Sequence, residues 1–109
     1  NCRNGISLSC MKVYKIRATV TASSATGTQN TLPITGGLMR QFYVLAGTSS
    51  TTFRADLTDE NSDVVRSYDF HRTEINDTEN PLIVKGVYTI GIRNASSDGD
   101  FTVKMLVQE

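Results

Sequence analysis

The stretch that decides the fold class is residues 86–108, GVYTIGIRNASSDGDFTVKMLVQ. Within it Tyr88, Ile90 and Ile92 alternate with Thr89, Gly91 and Arg93, and Phe101, Val103, Met105 and Val107 alternate with Thr102, Lys104 and Gln108. Period-two alternation sends successive side chains to opposite faces, so both segments read as half-buried strands. Leu106 is the exception, an apolar residue on the polar side. Between the segments, residues 94–100 are Asn, Ala, Ser, Asp and Gly, a composition suited to turns. The two strands are therefore expected to form the last hairpin of the chain. Each large side chain on their apolar faces contributes about 1.5–3 kcal/mol on burial.

Working outward, the same signal recurs and helical periodicity does not. Tyr14, Ile16, Ala18 and Val20 alternate with Lys15, Arg17, Thr19 and Thr21. Residues 23–30 read as a loop and 31–35 as a short strand, with Pro33 suggesting an edge position where a missing ladder donor costs least. Gly36-Gly37 then breaks the chain before the apolar run 38–46, LMRQFYVLA, which carries bulk on both faces. That run is expected to be a central strand or one meeting a partner. Phe53, Ala55 and Leu57 open a hairpin that turns at residues 59–63 and returns over 64–70. Residues 71–81 read as a polar loop with a short edge strand, and 82–84 as a brief strand. Seven to nine short strands at this spacing specify an all-β protein, an antiparallel β-sandwich of jelly-roll or immunoglobulin-like type.

The bulk numbers bound the function. A chain of 109 residues is one domain's worth of material. Lys plus Arg and Asp plus Glu both number 11, so no positive surplus exists to displace counterions from phosphates, and a nucleic-acid partner is not expected. No apolar run approaches the ~18–20 residues of a membrane span, so no membrane partner is expected either. The N-terminus carries no basic flank with an apolar stretch. Residues 1–10 lack clean alternation and read as an N-terminal arm ahead of a single domain over 11–109, with Met11 in the place of a start. Cys2 and Cys10 could close a small disulfide loop, and two free thiols are the competing reading. The arm and the run containing Leu38, Met39, Arg40, Phe42 and Tyr43 are the expected contact regions.

Reactive groups do not gather. His71 is the single histidine, and no serine sits in a nucleophile-elbow pattern, so the chain reads as not an enzyme, with no cofactor. Asp59 and Asp63 in one turn, and Asp98 and Asp100 in another, are candidate calcium ligands, but Asp, Asn and Gly are the residues any tight turn recruits. Asn76-Asp77-Thr78 and Asn94-Ala95-Ser96 match the N-glycosylation tripeptide, which arises often by chance in a chain so rich in Asn, Ser and Thr. Tyr43 and Tyr68 could offer a sugar platform, although core or interface packing is the commoner use of such rings. Gly36-Gly37 is no phosphate cradle, because no helix start follows it.

Two resemblances bear on the role. Gly86-Val87-Tyr88-Thr89-Ile90 running into the turn and Phe101-Thr102-Val103 resembles the last hairpin of bacterial pre-peptidase C-terminal domains, which are secreted β-sandwiches. Over most of the chain, Gly36-Gly37-Leu38-Met39-Arg40-Gln41, Thr51-Thr52-Phe53 and Leu57-Thr58-Asp59-Glu60 resemble small β-sandwich virion proteins of tailed bacteriophages. The second resemblance implies a non-enzymatic capsid decoration or cement protein, located in the virion. Its partners would be capsid or other virion proteins, with homo-oligomers in the assembly. The alternative is a secreted carbohydrate- or cell-surface-binding module, calcium-dependent in one version.

Overall fold

The strand with bulk on both faces organises the molecule. The computed structural model describes residues 11–21 and 24–109, and these form nine strands: β1 (Met11–Val20), β2 (Gly27–Asn30), β3 (Ile34–Leu45), β4 (Thr52–Thr58), β5 (Val64–Arg72), β6 (Glu74–Asp77), β7 (Leu82–Gly86), β8 (Thr89–Arg93) and β9 (Gly99–Gln108). One sheet has the order β1-β9-β3-β6, with β7 beside β3 as well; the other has the order β2-β8-β4-β5. All pairings are antiparallel. The protein is thus an all-β, antiparallel two-sheet sandwich. Among the described residues no helix is long and apolar enough to cross a membrane.

β3 is long enough to carry β9 along one edge and both β6 and β7, end to end, along the other. Gly36-Gly37 does not break it, contrary to expectation. The strand runs through the pair with an irregularity in its pairing to β7 between Ile34 and Gly37. Gly36 adopts φ +134, a conformation that side-chain-bearing residues avoid, and a Cβ on Gly37 would strike the carbonyl of Gln108 in β9. The glycines therefore let β3 bend and approach its neighbour.

The expected last hairpin is corrected. β8 pairs with β2 and β4, whereas β9 pairs with β1 and β3, so the turn between them crosses from one sheet to the other. Alternation reports that each strand has one apolar face. It does not say whether two such faces lie side by side or meet across the core, and here they meet. Only β4 and β5 are consecutive strands that pair with each other among the described residues.

Two smaller expectations also change. β2 lies within the stretch read as a loop; Thr28, Gln29 and Asn30 are exposed, so it shows no apolar alternation. The strand expected over 31–35 is replaced by a link through Leu32 and Pro33 into β3. Thr31 is buried there, its hydroxyl accepting the Tyr88 N–H at 3.0 Å and its own N–H donating to the Tyr88 carbonyl at 2.8 Å.

The core fills the space between the sheets with the inward residues of both. Ile16, Val103, Val44 and Ile75 stand at one level of the larger sheet, and Tyr14, Met105 and Phe42 at another. Phe53, Ala55, Leu57, Ile90 and Ile92 face them from the smaller sheet, all fully buried. Two aromatic pairs join the layers. Phe42 of β3 stacks on Tyr68 of β5 at 5.2 Å, and Phe101 of β9 meets Phe53 of β4 edge-on at 4.9 Å.

Candidate functional site

Once the alternating residues have filled the core, the other half of each strand in the larger sheet faces outward. Register places these residues in rows. Met11, Gln108, Leu38 and Ile83 form the first row, and Val13, Leu106 and Gln41 the second. Lys15, Lys104, Tyr43 and Asn76 form the third, and Arg17, Thr102, Leu45 and Glu74 the fourth. Five of the seven residues in the first two rows are apolar, Gln108 and Gln41 being the exceptions, against the usual rule for a solvated sheet face. Met11 is 49% exposed, Val13 51% and Ile83 81%, with Leu38 and Leu106 half-buried beside them. Leu106, the residue that broke the alternation, sits at the centre of this apolar end. Arg40 is exposed at its border, its Nε donating to the Gln108 side chain at 2.8 Å.

The remaining rows are polar apart from Leu45, and they are internally braced. Lys104 lies over the Tyr43 ring at 5.2 Å, and the Tyr43 hydroxyl donates to Glu74 at 3.0 Å. That bond to a carboxylate raises the Tyr43 hydroxyl above its ordinary pKa, with burial and the Glu74 charge adding to it. Gln41 donates to Asn76 at 2.8 Å. These bonds hold the outward side chains of β3, β6 and β9 in place beside the apolar rows.

Of the expected contact residues, Leu38, Arg40 and Tyr43 reach this outer face. Met39 and Phe42 point inward and are core. Cys2, Cys10 and the rest of the expected arm lie outside the described residues. The candidate calcium ligands are not brought together: the turn with Asp59 and Asp63 and the turn with Asp98 and Asp100 lie at opposite ends of β4. Asp59 accepts the backbone N–H groups of Asn61 and Asp63 at 2.9 and 3.0 Å, which is turn chemistry. Asp100 accepts from the Thr19 hydroxyl at 2.7 Å. Among the described residues no three of His, Cys, Asp and Glu gather as a metal site.

A second feature lies at the rim between β5 and β6. A hollow of about 340 Å³ is lined by Tyr68, His71, Asn76, Asp77, Glu79 and Asn80, among others. Asp77 accepts the Tyr68 hydroxyl at 2.6 Å and the Asn80 amide at 3.0 Å, with Arg66 at 3.7 Å. Burial pushes the Asp77 carboxyl up, but bonds from Tyr68, Asn80 and the Glu79 N–H, helped by Arg66, outweigh it and hold the pKa below the usual carboxylate range. Burial, then the bond to Asp77, raises the Tyr68 hydroxyl well above its ordinary value. His71 is exposed, its Nδ1–H donating to the Asp69 carbonyl at 2.8 Å and its ring lying edge-on to Tyr68. This arrangement orders the rim and offers polar groups to a ligand. It sets no nucleophile against the imidazole.

Sequence reasoning missed Val13, Ile83, Arg17, Glu74 and the Tyr68–Asp77 pair as surface determinants. Leu106 was the one visible signal, since an apolar residue on the polar side of a strand marks where the outward face changes character.

No family model matches the chain, and no curated protein matches it. Among solved structures, the enzymatically active domain of tailspike protein 4 from bacteriophage CBA120 aligns at a TM-score of 0.34 and 12% identity, over 97% of this chain and 18% of that one. The chain therefore spans less than a fifth of the length of the chain in that structure.

Proposed function

We propose that the protein is a non-enzymatic structural component of a virion, a capsid decoration or cement protein that attaches through the outer face of its larger sheet. The observation that supports this reading most is the apolar end of that face, where Met11, Val13, Leu38, Leu106 and Ile83 lie in adjoining rows on four strands. Scattered apolar residues on a surface need no explanation, whereas a contiguous set rimmed by polar residues marks a contact surface. Hydrogen-bonded strands present it, so little backbone entropy is lost on docking. Many copies of a modest contact along a shell add up by avidity. The balanced charge of the chain suits close packing of identical copies.

The test is to purify particles through a density gradient from cells carrying the gene and to look for the chain by mass spectrometry. The proposal expects the chain in the particle fraction at a constant copy number. A chain that stays wholly in the soluble fraction overturns it.

One observation favours a second reading, a carbohydrate-binding module. The hollow beside β6 is lined by Asn76, Asp77, Glu79 and Asn80, whose amides and carboxylates suit the hydroxyls of a sugar. Glycan-array binding lost in Asn80→Ala, with the particle fraction empty, would support it over the first.

A further inference from the structure

Among the described residues both edges of the larger sheet are open, and they differ in charge. β1 is one edge, pairing only with β9 among the described residues; its C-terminal end is approached by β2, where a Cβ on Gly27 would strike the Thr19 carbonyl. Residues 12–16 of β1, with Leu32 and Pro33, line a groove of about 560 Å³. This edge carries Lys12, Lys15 and Arg17 and no acid. β6 and β7 form the opposite edge, and the hollow of about 340 Å³ runs along β6. Here Glu74, Asp77 and Glu79 are the charges of β6 and the turn after it, and β7 adds Lys85; Arg66 and Tyr68 engage Asp77, the Tyr43 hydroxyl bonds Glu74, and Glu74 and Glu79 are exposed.

We infer that the β1 edge of one copy pairs with the β6–β7 edge of a second copy, head to tail, to extend the sheet. Strand direction allows it. β1 is antiparallel to β9, β9 to β3, and β3 to β6, so a second copy displaced along the sheet brings β1 against β6 in antiparallel sense. Register allows it as well. Reading the ladder across the sheet, Arg17 stands level with Glu74, Lys15 with Asn76, and Met11 with Ile83. Without any stagger, Arg17 of one copy then faces Glu74 of the next, and the exposed Met11 faces the exposed Ile83. Lys85 lies beyond the level of Met11 and opposes no residue of β1.

The charges also disfavour the competing arrangement. An antiparallel pairing of two β1 strands across a twofold axis would bring together two edges that each carry Lys12, Lys15 and Arg17 and no acid, and edge lysines are a common guard against such pairing. A head-to-tail contact uses two different surfaces and does not stop at a dimer unless a ring closes. This contact deepens the assembly reading, yet it is read out on the isolated chain, so its failure is separate from failure to enter a particle.

The test is sedimentation of the purified chain over a concentration series, for the wild type and three variants. The wild type is expected to rise in mass beyond a dimer and to weaken as salt is added. Arg17→Glu and Glu74→Arg each place like charges opposite one another and should weaken association about tenfold. An equimolar mixture of the two should restore it, because each mutant edge then meets its complement. Thr28→Ala, on the outer face of the smaller sheet, should leave it unchanged. A wild type that stays monomeric throughout, a mass that halts at a dimer, or association indifferent to both charge reversals would overturn the inference.

Discussion

Phe101 and Phe42 show at the level of single residues what ties the two layers together. Each ring lies in the larger sheet and touches an aromatic ring of the smaller one, Phe53 and Tyr68 respectively. Phe101→Ala removes a fully buried ring and its edge-on partner contact, and should lower unfolding stability by about 3–5 kcal/mol in urea titration. Asp77 makes a pH-dependent contribution. Its folded pKa lies below the unfolded value, so its stabilisation is present above about pH 4 and is lost as pH falls through the folded value. Asp77→Asn should therefore flatten the acid limb: the difference in urea midpoint between about pH 6 and about pH 3 should shrink relative to wild type. An unchanged acid limb would mean that Tyr68, Asn80 and Arg66 do not favour the ionised carboxylate.

At the scale of elements, alternation made β1, β4, β8 and β9 legible, because each buries one face and exposes the other. It did not reveal which strands are neighbours. β8 and β9 looked like a hairpin because a turn-rich segment joins them, yet their apolar faces oppose each other across the core. β2 was invisible, since its residues are exposed and polar and it is held by backbone pairing to β8. A side-chain bond from the Thr89 hydroxyl to Asn30 adds to that pairing, and the Gly27 end of β2 lies in close approach to β1. Gly27→Ala should push β2 off Thr19 and destabilise the domain, measured as a lowered melting temperature. A Gly27→Ala protein with an unchanged melting temperature would show that the two strands are not in close contact. The candidate surface was only partly legible for the same reason. Leu38, Arg40 and Tyr43 were named from one apolar run, whereas Met11, Val13, Leu106 and Ile83 join them only through register across β1, β9, β3 and β7. Met39 and Phe42, named from that same run, belong to the core because the strand irregularity between Met39 and Gln41 resets which side faces inward.

For the whole molecule, the two sheets have unequal roles. The smaller sheet closes the core, and the larger presents an apolar outward end and two edges of opposite charge. The functional reading depends on that outward end being a contact surface. The direct test is a competition inside the cell: wild type and Leu106→Lys are supplied together, particles are purified, and the ratio of the two chains is compared between particle and soluble pool. Leu106 lies outside the core, so the variant should fold and remain in the soluble pool. The account predicts that the particle fraction is depleted in Leu106→Lys about tenfold, the effect of a lysine placed in an apolar contact. Equal ratios in the two pools would contradict it.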